Sequence, residues 1–221
     1  TDTSVYPYEK TEADYKTYAK IRDFAKSCYN VTIKNGQNMP QDKGFIICAN
    51  HVSKIDYLFV SMAFSKEKFM KLCCMAKKEL FRNDAFSKKL IKATGMVPVD
   101  RGGMNMNTMN SLKAKLKEGW CVVIHPEGTR SADGIFREIK SGASVLAIDA
   151  GVPVIPVYIN GAYELFPKGK KIMKFYDTKN KKKFPVDVVF GEAISSDGKS
   201  VEELTNEIQN AILKLQDECR K

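Results

Sequence analysis

Histidine is scarce in this chain of 221 residues: there are two, His51 and His125, and a single tryptophan. No uninterrupted apolar run approaches the roughly 18 to 20 residues that a bilayer-spanning helix needs, so no transmembrane segment is expected. Thr1 to Lys10 lacks a basic stretch followed by an apolar one, and no signal peptide is read there. The first residue is not Met, which leaves open an anchor removed from the N-terminus. The six cysteines, Cys28, Cys48, Cys73, Cys74, Cys121 and Cys219, include no C-x-x-C pair, which argues against redox or metal roles. Cys48 and Cys121 sit in apolar strand-like runs and are expected to be reduced, buried thiols. The Walker pattern G-x4-G-K-[ST] is absent as well.

What is present in excess is positive charge: 36 Lys and Arg against 26 Asp and Glu, a formal net charge of +10. Such a balance favours anionic partners, whether nucleic acid, phospholipid head groups, coenzyme phosphates or an acidic carrier protein. The length allows one substantial core, and the hydrophobic fraction of 43% is ordinary for a globular protein. With no repeat and no low-complexity linker, residues 31–221 are read as one domain preceded by an amphipathic helical segment, residues 1–30. In that segment Tyr18, Ile21, Phe24, Ala25 and Cys28 recur at spacings of three and four. Basic residues Lys16, Lys20, Arg22 and Lys26 occupy the other positions, so the helix either packs on the core or lies on a membrane surface.

Patterning predicts strands over 44–49, 96–99, 120–124, 152–159 and 186–190, with a further short apolar run over 69–75. Helices are predicted over 55–64, about 78–92, 104–117, 141–150 and 201–219, the fourth closed by Gly151. Strands alternating with helices imply an α/β layered fold, with a mostly parallel central sheet flanked by helices. Polar residues recur just past strand ends, at His51, Arg101 and Glu127, where α/β sheets collect ligands.

The first such segment is Asn50-His-Val-Ser-Lys-Ile-Asp56. Five residues along an ideal helix turn by about 140°, so His51 and Asp56 can meet only if His51 precedes the first turn and Asp56 reaches back. A carboxylate on one imidazole nitrogen would leave the other to take a proton from a hydroxyl. Taken alone, the segment also suits a structural histidine beside an unrelated aspartate. The second segment is His125-Pro-Glu-Gly-Thr-Arg-Ser131, in which Gly128 lets backbone approach a ligand. Thr129 offers a hydroxyl, Arg130 a planar fork for phosphate, and Glu127 either orients Arg130 or accepts from a substrate hydroxyl. The third, Gly95-Met-Val-Pro-Val-Asp-Arg101, delivers Arg101 to the same sheet edge, and Lys77 and Lys140 add charge nearby.

Together with Val152-Pro-Val-Ile-Pro-Val157, these segments stand in the order of the four motifs of the glycerolipid acyltransferases. Over about residues 30 to 195 the chain resembles the 1-acylglycerol-3-phosphate (lysophosphatidate) acyltransferases. Ala76-Lys-Lys-Glu-Leu80 and Lys140-Ser-Gly-Ala143 carry the resemblance further. It implies transfer of a fatty acyl group from acyl-CoA or an acyl carrier protein to a glycerol hydroxyl, with no cofactor, no metal and no acyl-enzyme. His51 would be the general base and Asp56 its partner. Glu127, Gly128, Thr129 and Arg130, with Arg101 and Lys77, would hold the acceptor. His125 departs from the resemblance, standing where the family usually has an apolar or aromatic residue.

Phe166 to Phe184 contains eight lysines and one acid, Asp177, with aromatics interleaved. This is either a solvated hairpin or a contact for an anionic membrane or an acidic carrier protein. The reading is therefore an enzyme that makes phosphatidate from lysophosphatidate, cytoplasmic and peripheral on the inner face of a membrane, with no nucleic-acid partner. The alternatives are another lysophospholipid or glycerol-3-phosphate as acceptor, a metallohydrolase using His51, Asp56, His125 and Glu127, and a basic nucleic-acid-binding domain.

Overall fold

In the computed structural model, residues 7–81, 84–99 and 105–220 are described. Seven strands form one sheet: β1 (Asn30–Lys34), β2 (Phe45–Ala49), β3 (Leu72–Lys77), β4 (Met96–Val99), β5 (Cys121–Ile124), β6 (Val154–Asn160) and β7 (Pro185–Phe190). Their order is β1-β7-β6-β2-β5-β3-β4. Every neighbouring pair is parallel except β6 and β7, which run antiparallel. The expected mostly parallel α/β sheet is thus present.

The central strands read as unbroken apolar runs because helices cover both of their faces. Along β2, Ile46 and Cys48 point to one core, shared with Leu112 and Leu116 of α5 (Met106–Lys117). Leu146 of α6 (Gly142–Ala150) and Leu204, Ile208 and Ile212 of α7 (Val201–Arg220) complete that layer. Phe45, Ile47 and Ala49 point the other way, toward Tyr18 and Ala25 of α1 (Glu12–Cys28) and Phe59 of α2 (Asp56–Ser61). Each fully buried large apolar side chain contributes about 1.5–3 kcal/mol, so the stacked layers hold the sheet's carboxyl edge rigid.

Several boundaries differ from expectation. The 69–75 run divides: Phe69 belongs to the short helix α3 (Lys66–Met70), capped by Ser65, and β3 starts at Leu72. The helix expected over about 78–92 is two pieces, a 3-10 turn (Lys78–Leu80) and α4 (Ala85–Thr94), whose cap is Asp84. β1 was not anticipated. Its side chains alternate between exposed and half-buried because it is an edge strand paired only with β7, and no apolar run marks it.

α1 packs its inner side on the core, where the Tyr18 ring stacks on Phe69 with centroids 3.6 Å apart. Phe24 of the same stripe stays 58% exposed, with its ring edge against Phe175. All four strand cysteines, Cys48, Cys73, Cys74 and Cys121, are buried free thiols, and burial pushes each thiol up. Among the described residues no helix is long and apolar enough to cross a membrane.

Candidate active site

The site is built where β2 leaves the sheet. Asn50 is fully buried there, and its side chain extends the strand. Oδ1 accepts from the Ile159 N–H at 2.7 Å, and Nδ2 donates to the Ile159 carbonyl at 3.1 Å. One amide thereby satisfies two buried backbone groups that the departing chain cannot reach. His51 comes next, in neither strand nor helix. Its own N–H donates to Glu127 Oε1 at 2.7 Å, and its carbonyl accepts from the Ser131 N–H at 2.7 Å. The loop after β5 therefore grips the main chain of His51 on both sides.

α2 begins at Asp56, and its buried carboxylate turns back over the junction as the spacing requires. Oδ2 accepts from the Val52 N–H, the Ser53 N–H and His51 Nδ1, each at 2.8 Å. Burial pushes the Asp56 carboxyl up to about 6, opposed by His125, by those two main-chain donors and by Arg130. It is still mostly anionic at neutral pH. The His51 side chain is 24% exposed. Burial, with the Arg130 and Lys77 cations, holds its imidazole well below the ordinary value. A neutral ring whose Nδ1 faces a carboxylate keeps its proton there and presents the Nε2 lone pair.

The Glu127-Gly-Thr-Arg130 loop is arranged differently from the simplest expectation. Glu127 does not orient Arg130; its Oε1 holds the His51 N–H, and burial pushes the carboxyl up to about 7. Arg130 Nη1 is buried with no hydrogen-bond partner among the described residues. Gly128 has φ 70°, the left-handed region, and a Cβ there would press on the Lys140 side chain at 3.2 Å. The Thr129 hydroxyl, on the exposed side, accepts from Lys168 Nζ at 3.2 Å. Lys77 is exposed at the end of β3, and its charge reaches His51. Arg101 lies outside the described residues.

His125, at the end of β5, stacks on His51 with ring centroids 4.1 Å apart and planes inclined by 11°. Its Nδ1–H donates to the Ala49 and Asn50 carbonyls at 3.0 and 3.1 Å. Burial, with His51 alongside, pushes its imidazole down to about 4. His51, Asp56 and His125 each offer a ligand atom within 4.8 Å of the others. A cation there would sit beside the Arg130 and Lys77 charges that already act on His51, and they oppose a further positive charge. A separate cleft of about 680 Å³, lined by Pro40, Phe45, Lys68 and Gly119 among others, opens at the amino ends of β2 and β5. That is the opposite edge from His51.

Three contributors escaped the sequence reading. Asn50 stands in the first segment with no role read for it, and its side chain bonds to a strand. Lys168, 39 residues from Thr129, joins the loop with no local signal. The His51–His125 stack depends on β2 and β5 being neighbours in register, with Cys48 opposite Ile124.

The family model described as Acyltransferase matches residues 30–160, which hold Asn50 to Asp56 and Glu127 to Arg130. The chain belongs to the acyltransferase family. It is 32% identical over 143 residues to the 1-acyl-sn-glycerol-3-phosphate acyltransferase of Bacillus subtilis, covering 63% of this chain and 69% of that protein. A probable 1-acyl-sn-glycerol-3-phosphate acyltransferase of Mycoplasma pneumoniae is 30% identical over 168 residues, or 75% of this chain and 62% of that one. This acyltransferase therefore spans about two thirds of the length of those relatives. Its fold matches the crystal structure of the 1-acyl-sn-glycerophosphate (LPA) acyltransferase PlsC from Thermotoga maritima, with a TM-score of 0.71. That match has 26% identity and covers 94% of this chain and 81% of the other.

Proposed function

We propose that this acyltransferase moves a fatty acyl group from an acyl thioester, of coenzyme A or an acyl carrier protein, to the free hydroxyl of 1-acylglycerol-3-phosphate, giving phosphatidate. The observation that carries the reading is the His51–Asp56 pair beside a half-buried Arg130 whose Nη1 has no hydrogen-bond partner among the described residues. His51 Nε2 takes the hydroxyl proton as the hydroxyl oxygen attacks the thioester carbonyl. Asp56 supports the imidazolium through Nδ1. As the carbon–sulfur bond breaks, the imidazolium returns its proton to the departing thiolate. Arg130 binds the acceptor's phosphate through its planar fork, with Gly128 and Thr129 shaping the approach and Glu127 holding His51 in place. Arg101 and Lys77 add charge on the acceptor side.

The substrate is an amphiphile, and the reading includes peripheral attachment to an anionic membrane on its inner, cytoplasmic face. Support comes from where the lysine-rich segment lies. Phe166 accepts from Ser53 Oγ at its carbonyl and lies under Lys54 Nζ, and Lys168 reaches Thr129. The segment thus starts at the rim of the His51 junction. Farther along it, Ile172, Phe175 and Tyr176 are exposed among the lysines, next to Phe24 of α1. Lysines near a charged leaflet contribute about 1 kcal/mol each.

The test measures thiol release from acyl-CoA and from acyl carrier protein, with lysophosphatidate, other lysophospholipids and glycerol-3-phosphate as acceptors. Lysophosphatidate-dependent release is expected, with His51→Ala slower by about 10²- to 10⁴-fold. Equal turnover with acceptors that lack a phosphomonoester would overturn the assignment of Arg130.

A further inference from the structure

We infer that His125 is a positioning residue: its ring, stacked on His51, sets the plane in which His51 meets both Asp56 and the acceptor hydroxyl. The inference rests on the proposed role of His51 as base. The β2–β5 ladder ends at Cys48 and Ile124. One residue later the two main chains no longer pair, and the His125 side chain spans the gap. Its Nδ1–H bonds to both the Ala49 and Asn50 carbonyls, the two groups that precede His51. On the other flank, the Asn50 amide ties the same turn to Ile159 of β6. The turn leading into the base is therefore clamped from both neighbouring strands.

The clamp orients the ring as well as the chain. His51 makes one edge bond, Nδ1 to Asp56, and a single edge bond leaves the ring free to rock about that axis. The parallel face of His125, 4.1 Å away, blocks that motion and keeps water from that side. Burial, with His51 alongside, keeps this imidazole uncharged against the opposite pull of its two carbonyl partners, so it adds no positive charge beside the proton that His51 gains. The flat face is the operative feature. A phenyl ring would supply it, whereas a side chain of similar bulk without a flat face would not.

The chain's two histidines make the test direct, because any His125 variant leaves His51 as its only imidazole. His125→Leu should lower kcat by about 10- to 100-fold with KM for the acceptor within about twofold, a loss of orientation and not of binding. His125→Phe should recover most of that loss. In nitrogen-15 spectra at neutral pH, His51 should show the Nδ1–H form in wild type and in His125→Phe, and an averaged mixture of both tautomers in His125→Leu. If Leu and Phe variants lose kcat equally, or if His51 keeps its wild-type tautomer and turnover in His125→Leu, positioning by the stacked face is wrong. A tautomer shift in His125→Leu with turnover untouched would support the positioning and overturn the base role of His51 instead.

Discussion

Replacing Asp56 with Asn removes a charge from the centre of the site while changing almost no volume. A single oxygen, Oδ2, takes all three hydrogen bonds, from Val52, Ser53 and His51, while Oδ1 is buried without a partner. An asparagine with its carbonyl in the Oδ2 position keeps those three bonds and puts its amide where Oδ1 was. What disappears is the negative charge facing the imidazolium. With charge centres about 4 Å apart and an effective dielectric of about 20, that attraction amounts to about 4 kcal/mol. Proton transfer is partial at the transition state, so about 2–4 kcal/mol should reach the barrier, a loss of about 30- to 1000-fold in kcat. Folding stability should move little. Removing a buried charge relieves a desolvation penalty, and leaving a buried amide without an acceptor costs about 1–3 kcal/mol in the other direction. The assay is thiol release at saturating acceptor, run beside thermal unfolding. Asp56→Asn protein that keeps more than about a third of wild-type kcat, at an unchanged Tm, would refute the role of the carboxylate.

Arg130→Ala should raise KM for the phosphate-bearing acceptor about tenfold to over a hundredfold, from the 1.5–3 kcal/mol of a charge-assisted bond. Arg130→Lys should rescue only part of that loss, and a rise confined to the thioester's KM would mean the wrong substrate was assigned. Turnover should fall as pH drops through about 6, where the Asp56 carboxyl gains a proton and no longer supports charge on His51; a flat kcat/KM profile between pH 5 and 7 would contradict this. The two buried carboxyls should contribute to stability with the opposite sign. Burial raises Asp56 and Glu127, so between about pH 4 and 7 these two groups bind more protons in the folded protein than in the unfolded chain, whereas the lowered imidazoles of His51 and His125 bind fewer. The carboxyl contribution declines as pH rises through that window, and in chemical denaturation Glu127→Gln should remove its share, so that stability rises more steeply with pH than in wild type. Wild type should co-sediment with phosphatidylglycerol vesicles more than with neutral ones, and changing Lys181, Lys182 and Lys183 to Glu should abolish that difference. Unchanged sedimentation would move the membrane contact elsewhere.

The sequence by itself determined the layered α/β class, because apolar runs of strand length alternate with helical periodicity and are long enough to be covered on both faces. It pointed to the pairing of His51 with Asp56 as well, without excluding an unrelated aspartate, since across a strand-to-helix junction the two side chains meet only if Asp56 reaches back, as it does. Those are local facts, and local physics carries them. Only the tertiary structure decided the rest. β1 is an edge strand with half-polar alternation, and its existence depends on a partner, β7, more than 150 residues away. Asn50 bonding to Ile159, Glu127 to the His51 main chain, His125 stacking on His51, and Lys168 reaching Thr129 all join segments separated by tens of residues. No periodicity records such contacts, because they follow from the order and register in which the strands pair. The fold leaves Arg130 half-buried, its Nη1 without a partner among the described residues, where adjacency in sequence had suggested a bond to Glu127. Residue types specify which chemistry is available; the sheet specifies which groups have already spent their hydrogen bonds and which still face a substrate.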